Sequence, residues 1–443
     1  MLNKRILIYA ALAALMGLLA GCGGTVPPAV RPADGSGAES TAVSGTESSE
    51  APESESATET IPVSTESIPE SSVVPTDTEA AESTQATEDT EVPPEDDPVW
   101  DQIAGLSLED RVAQMFVVTP EALVGVSGPV TMAGETTKAA FDRCPVGGLV
   151  YMGQNLESRE QTENLCWNMQ KISRERIKLP VFLCVDEEGG SVARISGSGK
   201  FDIPAFENMS QVKDPDRAGE IGKAIGVYLS ELGFNVDFAP DADVLTNRAN
   251  TVVRSRSFGS DPEAVRKAAA AYADGLQSQG VLPVYKHFPG HGATAEDSHL
   301  GYAVSDRSKE ELLASELVPF RDAAERKIPF VMVGHISTPR LTDDGLPASL
   351  SPALVTDLLR KELGYEGIII TDALGMGAIA QHYKPAEAAV LAVKAGNDMI
   401  LLSDHLTESY NAVLEAVRSG EISEGRINES VYRILKVKLT KLS

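Results

Sequence analysis

Cysteine is scarce in this chain of 443 residues, and the four cysteines form no recognisable framework. Apart from Cys22 near the N-terminus, Cys144, Cys166 and Cys184 lie far apart, without the C-x-x-C or Cys/His spacing that binds zinc. Three remaining cysteines, an odd number, argue against a disulfide-stapled fold. Cys184 lies in an apolar run and is predicted to be a buried thiol. The sequence leaves open whether Cys144 and Cys166 pair in an oxidising compartment.

Basic residues are also few, with 38 Lys and Arg against 65 Asp and Glu and a net charge of -27. The segment 22–98 holds 18 of the acids and one base, Arg31, so it carries -17 of that charge. The acidity is therefore mostly a property of this segment, and we expect no nucleic-acid partner. A tail that binds a basic partner is the alternative, but the acids are interspersed with Ser and Thr rather than clustered.

The same segment lacks aromatic residues and any periodic apolar face. Its Ser, Thr, Glu, Pro and Ala cannot bury enough surface to offset the entropy of ordering, so we predict a disordered tether. As a flexible coil it would span roughly 50 Å.

The first residues have the parts of an export signal. Lys4 and Arg5 precede the apolar run 6–20, which is short for a membrane span. The ending Leu-Ala-Gly-Cys22 resembles the bacterial lipobox, which implies that Cys22 is diacylated and becomes the mature N-terminus. An uncleaved anchor helix is the alternative. We expect an extracytoplasmic protein that is lipid-anchored to the cell membrane. The predicted divisions are a lipoprotein signal peptide at 1–21, the tether at 22–98 and a folded domain at 99–443.

Within that domain, short apolar runs alternate with helix-like stretches. Eight runs read as buried strands: Met115–Val118, Gly147–Met152, Pro180–Val185, Phe234–Ala239, Val281–Val284, Ile328–Val333, Gly367–Ile370 and Asp398–Leu402. Predicted helices include Arg217–Leu232, Pro262–Gln277, Lys309–Arg326, Ser351–Leu363 and Pro385–Lys394, and Ser107 is a plausible N-cap before an earlier helix. This alternation indicates a parallel α/β sheet, and eight units predict closure into a (β/α)8 barrel of the TIM type. An open doubly wound sheet is the alternative, but we find no glycine-rich phosphate loop to favour it.

The stretches that follow these runs carry the ionisable side chains, where barrel enzymes place their active sites. They hold Asp186 and Arg194 after the third run, Asp241, Asp243 and Arg256 after the fourth, Lys286, His287, His291, Asp297 and His299 after the fifth, His335 after the sixth, and Asp372 after the seventh. Four of the six histidines therefore follow only two runs. Lys286 to His299 read as one loop, because Pro289, Gly290 and Gly292 exclude a helix through its middle.

Three kinds of chemistry fit this loop. His287, His291, Asp297 and His299 could ligate a metal, but the proline and glycine between the first two prevent the one-face helical geometry of zinc proteases. A plain strand-end hydrogen-bonding network is the second interpretation. Glycoside hydrolysis is the third, because it needs two groups on opposite sides of an anomeric carbon. Asp372 at a strand end suits a nucleophile. His299 suits an acid/base near neutral pH, with Asp297 orienting its ring.

The motifs together resemble glycoside hydrolase family 3, specifically its β-N-acetylhexosaminidase branch. They are D-x-E-G-G at 186–190, R-S-F-G at 256–259, K-H-F-P-G-H-G at 286–292, D-S-H at 297–299 and T-D-A-L-G-M at 371–376. The resemblance spans about Leu106 to Leu442. It implies a (β/α)8 barrel and a retaining reaction through a glycosyl-enzyme intermediate, with no cofactor or metal. By motif, Asp372 matches the nucleophile, His299 the acid/base and Asp297 its dyad partner. The sugar-binding positions are matched by Asp186, Arg194, Arg256, Lys286 and His287.

The resemblance has departures that put the fit of the aglycone in doubt. Glu187 stands where glutamine is common, Ser191 stands where arginine is usual, and Val252–Ser255 replaces the familiar lead-in to R-S-F-G. With the export signal, the D-S-H loop leads us to expect an exo-acting β-N-acetylhexosaminidase that removes terminal β-GlcNAc from peptidoglycan fragments or related glycosides. The alternatives are a β-glucosidase or β-xylosidase, catalysis assisted by the substrate's acetamido group, and a non-catalytic muropeptide-binding lipoprotein.

Overall fold

All eight apolar runs become strands of one sheet. The computed structural model describes residues 97–294, 303–402 and 404–442. The strands are β1 (Phe116–Val118), β2 (Gly148–Val150), β3 (Phe182–Val185), β4 (Val236–Asp237), β5 (Leu282–Phe288), β6 (Phe330–Val333), β7 (Ile368–Thr371) and β8 (Ile400–Leu402). Every residue in them is buried. Strands covered on both faces lose the polar alternation of a half-exposed sheet, which explains the continuous apolar runs.

The sheet is parallel throughout and closes on itself. Neighbouring strands pair in the order β7-β6-β5-β4-β3-β2-β1-β8. The two end strands meet through a parallel bridge between Ile370 and Met399, and the Thr371 N–H donates to the Met399 carbonyl at 3.1 Å. The predicted (β/α)8 barrel is confirmed.

Helices follow the strands around the barrel. They are α1 (Pro98–Ala104), α2 (Leu108–Gln114), α3 (Pro120–Val124), α4 (Glu135–Arg143), α5 (Arg159–Ile177), α6 (Pro215–Leu232), α7 (Pro262–Gln277), α8 (Lys309–Ala314), α9 (Val318–Glu325), α10 (Gly377–Ala380), α11 (Pro385–Ala395), α12 (Leu406–Arg418) and α13 (Glu424–Lys441). Short 3-10 turns lie at Met209–Gln211, His291–Ala293 and Ala348–Leu350, and a π-helix spans Ala353–Glu362. Two small strand pairs stand apart from the barrel, Glu187–Gly189 with Val192–Ala193 and Ala303–Val304 with Ile336–Ser337.

Helix starts follow local sequence signals. Ser107 accepts a hydrogen bond from the Asp110 N–H at 3.1 Å, as expected of an N-cap. Helices α6 and α7 each begin with an Asp-Pro pair, in which Asp214 or Asp261 caps the first turn and the proline takes the first helical position. Proline suits that position because its backbone has no N–H to leave unsatisfied.

The predicted helix Lys309–Arg326 is wrong as one element, because the chain breaks between α8 and α9. Glu316 lies in the break with its side chain fully buried, and it accepts a hydrogen bond from the Thr246 hydroxyl. Its Cβ lies 2.5 Å from where a Cβ on Gly290 would stand. The break therefore turns a carboxylate inward beneath the chain that follows β5.

The floor of the barrel contains a buried amine. Lys438 of α13 is fully buried, its ammonium donates to the Gln114 side-chain oxygen at 2.7 Å, and it lies 4.9 Å from the Phe182 ring centroid. Burial lowers the pKa of Lys438 to about 7. Gln114 precedes β1 and Phe182 begins β3, so this amine lies at the end of the barrel opposite the strand C-termini.

Helix α13 also holds the start of β8. Asp398 is fully buried, and its Oδ1 accepts from the Ser430 hydroxyl at 2.8 Å and from Arg433 Nη1 at 3.1 Å. Its Oδ2 accepts from Arg360 Nη2 at 2.6 Å and from the Ile369 N–H at 2.9 Å. Burial would raise the pKa of Asp398, but the guanidinium groups of Arg360 and Arg433 outweigh it and hold the pKa below its usual value.

Several sequence predictions lie outside the described residues. They are the signal peptide, the tether as far as residue 96, Cys22, Asp297 and His299. The last two residues of the predicted tether, Asp97 and Pro98, instead form the N-cap and first residue of α1. Cys144, Cys166 and Cys184 are free thiols, and Cys184 is buried within β3 as expected. Among the helices of the described ranges, none combines the length and hydropathy needed to cross a bilayer.

Candidate active site

Lys286 and His287 lie within β5 and not in a loop after it. The strand runs to Phe288, and Lys286 forms a parallel bridge with Asp241. The predicted single loop from Lys286 onward is therefore wrong in its first part. Both side chains have buried acidic partners, which allows these polar residues to stay in strand geometry.

Glu188 is the carboxylate around which the cations gather. Its Oε1 lies 2.6 Å from Lys286 Nζ and 2.7 Å from Arg256 Nη2, and its Oε2 accepts from Arg256 Nε at 2.8 Å. Burial would raise the pKa of Glu188, but Arg256 and Lys286 outweigh burial and hold that pKa well below its ordinary range. A planar guanidinium bound through two nitrogens is fixed in orientation as well as in charge.

Asp186 extends this network toward solvent. Its Oδ1 lies 3.1 Å from Lys286 Nζ and its Oδ2 lies 3.7 Å from Arg194 Nη2. The side chain of Arg194 is 35% exposed and that of Lys286 is 3% exposed. The structure thus brings Asp186, Arg194, Arg256 and Lys286 into one connected group with a buried base and an open rim.

His287 is held from behind by Asp243. His287 Nδ1 lies 2.8 Å from Asp243 Oδ2, and Asp243 Oδ1 accepts from the His291 N–H at 2.6 Å. Burial would raise the pKa of Asp243, but His287 and His291 outweigh burial and lower it. The carboxylate on Nδ1 fixes the orientation of the His287 ring, and the other ring nitrogen, Nε2, lies 3.4 Å from Arg256 Nη2.

Asp372 stands directly after β7 and has its backbone fixed on both sides. Its N–H donates to the Val333 carbonyl at 2.8 Å, and the Leu374 N–H donates to Leu401 at 3.0 Å. Burial would raise the pKa of Asp372, but the nearby His287 and His335 outweigh burial and lower it. The group is therefore an ionised carboxylate on a rigid strand end.

The described residues offer one grouping of metal-ligand type, Asp241, Asp243 and His287. The guanidinium of Arg256 already lies against it, with Nε 3.4 Å from Asp241 Oδ2 and Nη2 3.4 Å from His287 Nε2. We interpret the grouping as a set of polar side chains that surround the Arg256 guanidinium. Burial and then the Asp243 carboxylate raise the pKa of Asp241 well above its ordinary value, so that this acid holds its proton more tightly than its neighbours.

The Asp372 carboxylate stands at the C-terminal mouth of a barrel, within electrostatic reach of His287, His335 and Lys286. This arrangement suits a nucleophile beside a polyhydroxylated ligand. The model of the glycosyl hydrolase family 3 N terminal domain matches residues 107–437. The chain belongs to glycoside hydrolase family 3.

Curated relatives of this family 3 chain are named β-hexosaminidases. It is 34% identical to β-hexosaminidase A of Pseudoalteromonas piscicida over 328 residues, which is 68% of this chain and 54% of that protein. It is 39% identical to β-hexosaminidase LpqI of Mycobacterium tuberculosis over 274 residues, 59% of this chain and 68% of that protein. The chain thus spans about half the length of the first of these curated relatives.

Solved structures agree with the fold. A family 3 β-N-acetylglucosaminidase from Paenibacillus sp. str. FPU-7 superposes with a TM-score of 0.71 at 36% identity, covering 76% of this chain and 63% of that one. LpqI of M. tuberculosis superposes with a TM-score of 0.65 at 34% identity, covering 76% of this chain and 95% of that one.

The departures from the usual family 3 motifs have local explanations. Glu187 Oε1 accepts from the Ser196 N–H, the Ser196 hydroxyl and the Tyr228 hydroxyl, and Oε2 accepts from the Ile195 N–H, all within 2.8 Å. This carboxylate therefore fixes the turn that carries Arg194. Ser191 pairs its hydroxyl with that of Ser255 at 3.0 Å, which links two of the departures to each other.

Glu188, Asp243 and His335 belong to this family 3 site, but their roles were not predicted from the sequence. Glu188 and Arg256 are 68 residues apart in the chain, and Asp243 and His287 are 44 apart. Their position could have indicated a role, because each is an ionisable residue that follows closely after a predicted strand. The roles of Asp186, Arg194, Arg256, Lys286 and His287 in sugar binding stay predictions, although the structure places these residues together.

Proposed function

We propose that this family 3 chain is an exo-acting, retaining β-N-acetylhexosaminidase that hydrolyses terminal, non-reducing β-GlcNAc from peptidoglycan fragments or related glycosides. The observation that carries the proposal is the backbone-fixed carboxylate of Asp372, whose pKa is lowered by His287, His335 and Lys286. The β-hexosaminidase names of the relatives support the choice of sugar.

In the proposed reaction, an Asp372 oxygen attacks the anomeric carbon while His299 protonates the departing glycosidic oxygen. A covalent glycosyl ester on Asp372 results, and the aglycone leaves as an alcohol. His299 then removes a proton from water, which attacks the same carbon and releases the sugar and the Asp372 carboxylate. Asp297 would orient the His299 ring. Both residues are assigned by their match to the D-S-H motif.

Sugar hydroxyls would bind the groups on the open side of the network. Asp186 can accept, Arg256, Arg194 and Lys286 can donate, and the Nε2 of His287 completes the ring. Because Glu188 and Asp243 hold these side chains before substrate arrives, little side-chain entropy is left to lose on binding. The cations also stabilise Asp372 as an anion until it forms the ester.

The test compares release of 4-nitrophenol from the β-GlcNAc and β-glucoside substrates by the purified protein. We expect selective release from β-GlcNAc, abolished in Asp372→Ala and severely reduced in His299→Ala. Asp357→Asn, a change at an exposed carboxylate paired with Lys361, serves as the matched control and should behave as wild type.

Other outcomes point to other functions. Preference for the glucoside, with the same loss in Asp372→Ala, would identify a β-glucosidase or β-xylosidase. Tight binding of muropeptides without turnover of either substrate would identify a receptor. Wild-type turnover by Asp372→Ala would contradict the assignment of the nucleophile.

We further propose that Cys22 is diacylated and that segment 22–98 tethers the enzyme outside the cell membrane. The Leu-Ala-Gly-Cys sequence after a short apolar run supports this. Metabolic labelling with an alkyne fatty acid should mark the wild-type protein and not Cys22→Ser, which should also lose its membrane association. Equal labelling of both proteins would contradict the anchor, and Cys144→Ser controls for modification of a different thiol.

A further inference from the structure

His335 lies behind the peptide that follows Asp372. Its side chain is fully buried on the chain after β6. Nε2 lies 2.9 Å from the carbonyl oxygen of Ala373, and Nδ1 lies 2.8 Å from the hydroxyl of Ser349. Since a carbonyl oxygen only accepts hydrogen bonds, the ring must carry a proton on Nε2. His335 therefore donates to the backbone one residue beyond the carboxylate.

The Ala373 residue links this histidine to Asp372. The Ala373 N–H donates to Asp372 Oδ1 at 2.8 Å, while the Ala373 carbonyl accepts from His335. A shift of Ala373 would thus change both the direction of the Asp372 side chain and the N–H that stabilises its charge. The Ala373 carbonyl also accepts from the Met376 N–H at 3.0 Å within the local turn, so His335 is the partner that ties this peptide to the chain after β6.

Ser349 completes the support from a separate element. It lies in the 3-10 turn Ala348–Leu350, and its carbonyl accepts from the Asn397 side chain at 2.8 Å. Ser349 and Asn397 are both fully buried. A buried ring with a defined partner at each nitrogen has one orientation available, so its position is transmitted to the backbone it contacts.

We propose that His335 is a positioning residue that holds the Ala373 peptide and thereby aims the Asp372 carboxylate at the anomeric carbon. The inference rests on the proposed role of Asp372 as the nucleophile. His335 itself does not touch the sugar, so its removal should slow formation of the glycosyl-enzyme and leave ground-state binding nearly unchanged.

Two substitutions test the hydrogen bonds of the two ring nitrogens of His335 separately. In His335→Gln, the amide nitrogen takes the place of Nε2 and keeps a donor for Ala373. In His335→Asn, the shorter amide replaces Nδ1, keeps a partner for Ser349 and leaves the Ala373 carbonyl with the Met376 N–H but without its donor from the chain after β6. We expect kcat on 4-nitrophenyl β-GlcNAc to fall roughly 10- to 100-fold in His335→Asn with KM within about threefold of wild type. His335→Gln should recover most of that loss.

A second measurement reports only on formation of the glycosyl-enzyme. Trapping by a fluorinated GlcNAc donor measures formation of the covalent adduct alone, and its rate should fall in His335→Asn by the same factor as kcat. Should His335→Asn fail to fold, Ser349→Ala tests the same support from its other end, with an expected loss of several-fold in kcat and an unchanged KM.

The controls separate failure of this inference from failure of the proposed function. Turnover by Asp372→Ala would show that the nucleophile itself is misassigned. With Asp372→Ala inactive, wild-type kcat in His335→Asn or in Ser349→Ala would overturn the positioning role. Equal losses in the Asn and Gln variants, accompanied by lower thermal midpoints, would also overturn it, because they would show a general packing role.

Discussion

Replacing Lys438 by methionine should change the pH dependence of stability. The side chain is fully buried at the barrel floor, and burial lowers the pKa of its ammonium from the ordinary 10.5 to about 7. Methionine is similarly long and unbranched, and it carries no charge. The substitution therefore removes the ionisation and leaves most of the apolar packing.

The size of the effect follows from proton linkage. Between pH 7 and pH 9 the unfolded chain keeps a proton on Lys438 that the folded chain releases, so this residue makes the protein more stable as pH rises. With each pH unit worth about 1.4 kcal/mol, the gain across that window is about 2 kcal/mol. Methionine cannot titrate, so the stability of Lys438→Met relative to wild type should fall by that amount from pH 7 to pH 9.

The difference in the free energy of unfolding between Lys438→Met and wild type at pH 7 has opposing contributions. Removing the amine relieves a desolvation cost of about 4 kcal/mol. It also loses the contact with the Phe182 ring, about 0.5–2 kcal/mol, and leaves the Gln114 oxygen without its donor, about 1–3 kcal/mol. We therefore expect the free energy of unfolding of the variant at pH 7 to lie between about 1 kcal/mol below and about 2.5 kcal/mol above that of wild type, and to move about 2 kcal/mol lower relative to wild type at pH 9.

Urea unfolding followed by tryptophan fluorescence measures the free energy of unfolding of both proteins at pH 7 and at pH 9. Lys441→Met, at an exposed position on the same helix, controls for the loss of a charge. A difference between Lys438→Met and wild type that stays constant from pH 7 to pH 9 would refute the reasoning. It would mean that the buried amine keeps its charge, held by Phe182 and Gln114.

Two further predictions concern the acids around the site. Asp241→Asn should keep kcat and KM near wild type at pH 7, because burial and Asp243 raise the pKa of Asp241 and asparagine mimics the protonated acid. Since the unfolded state binds fewer protons than the folded state above pH 4, the variant should also have a higher urea midpoint at pH 7, and this advantage should shrink as pH falls toward 4. A large rise in KM would show instead that Arg256 needs a charged Asp241. Glu187→Gln should lower stability by about 1–2 kcal/mol, because the amide turns an N–H toward the backbone donor of Ile195 or Ser196. An unchanged urea midpoint would contradict that interpretation, and Glu366→Gln, at a group outside this network, is its control.

The barrel could be predicted because its strands are buried on both faces. Runs such as Phe182–Val185 and Ile368–Thr371 contain almost only apolar residues, and they recur often enough for eight to be counted. The ends of the same apolar runs also located the mouth of the barrel, because the ionisable residues cluster there. Asp186, Arg194, Arg256, Lys286 and His287 could be grouped in this way without knowledge of any contact.

The supporting partners could not be predicted, because they depend on contacts between distant segments. The apolar pattern ends at Val284, so Lys286 and His287 read as loop residues, whereas pairing with Glu188 and Asp243 keeps them in β5. Glu316 is similar, since its inward turn beneath Gly290 breaks a stretch with continuous helical periodicity. In each case a buried electrostatic or packing contact outweighs the local preference.

Helix α13 contacts Asp398 through Ser430 and Arg433 and the barrel floor through Lys438, and these contacts bear on the order of folding. Strands β1 to β7 and their helices can be made before α13 exists, but Asp398 then lacks Arg433 and Ser430, and the floor between Gln114 and Phe182 lacks its amine. An incompletely paired buried carboxylate disfavours the closed sheet. We therefore expect docking of β8 to be a late event that waits for α13. Until then β1 and β7 are open strand edges, which are prone to pair with other chains.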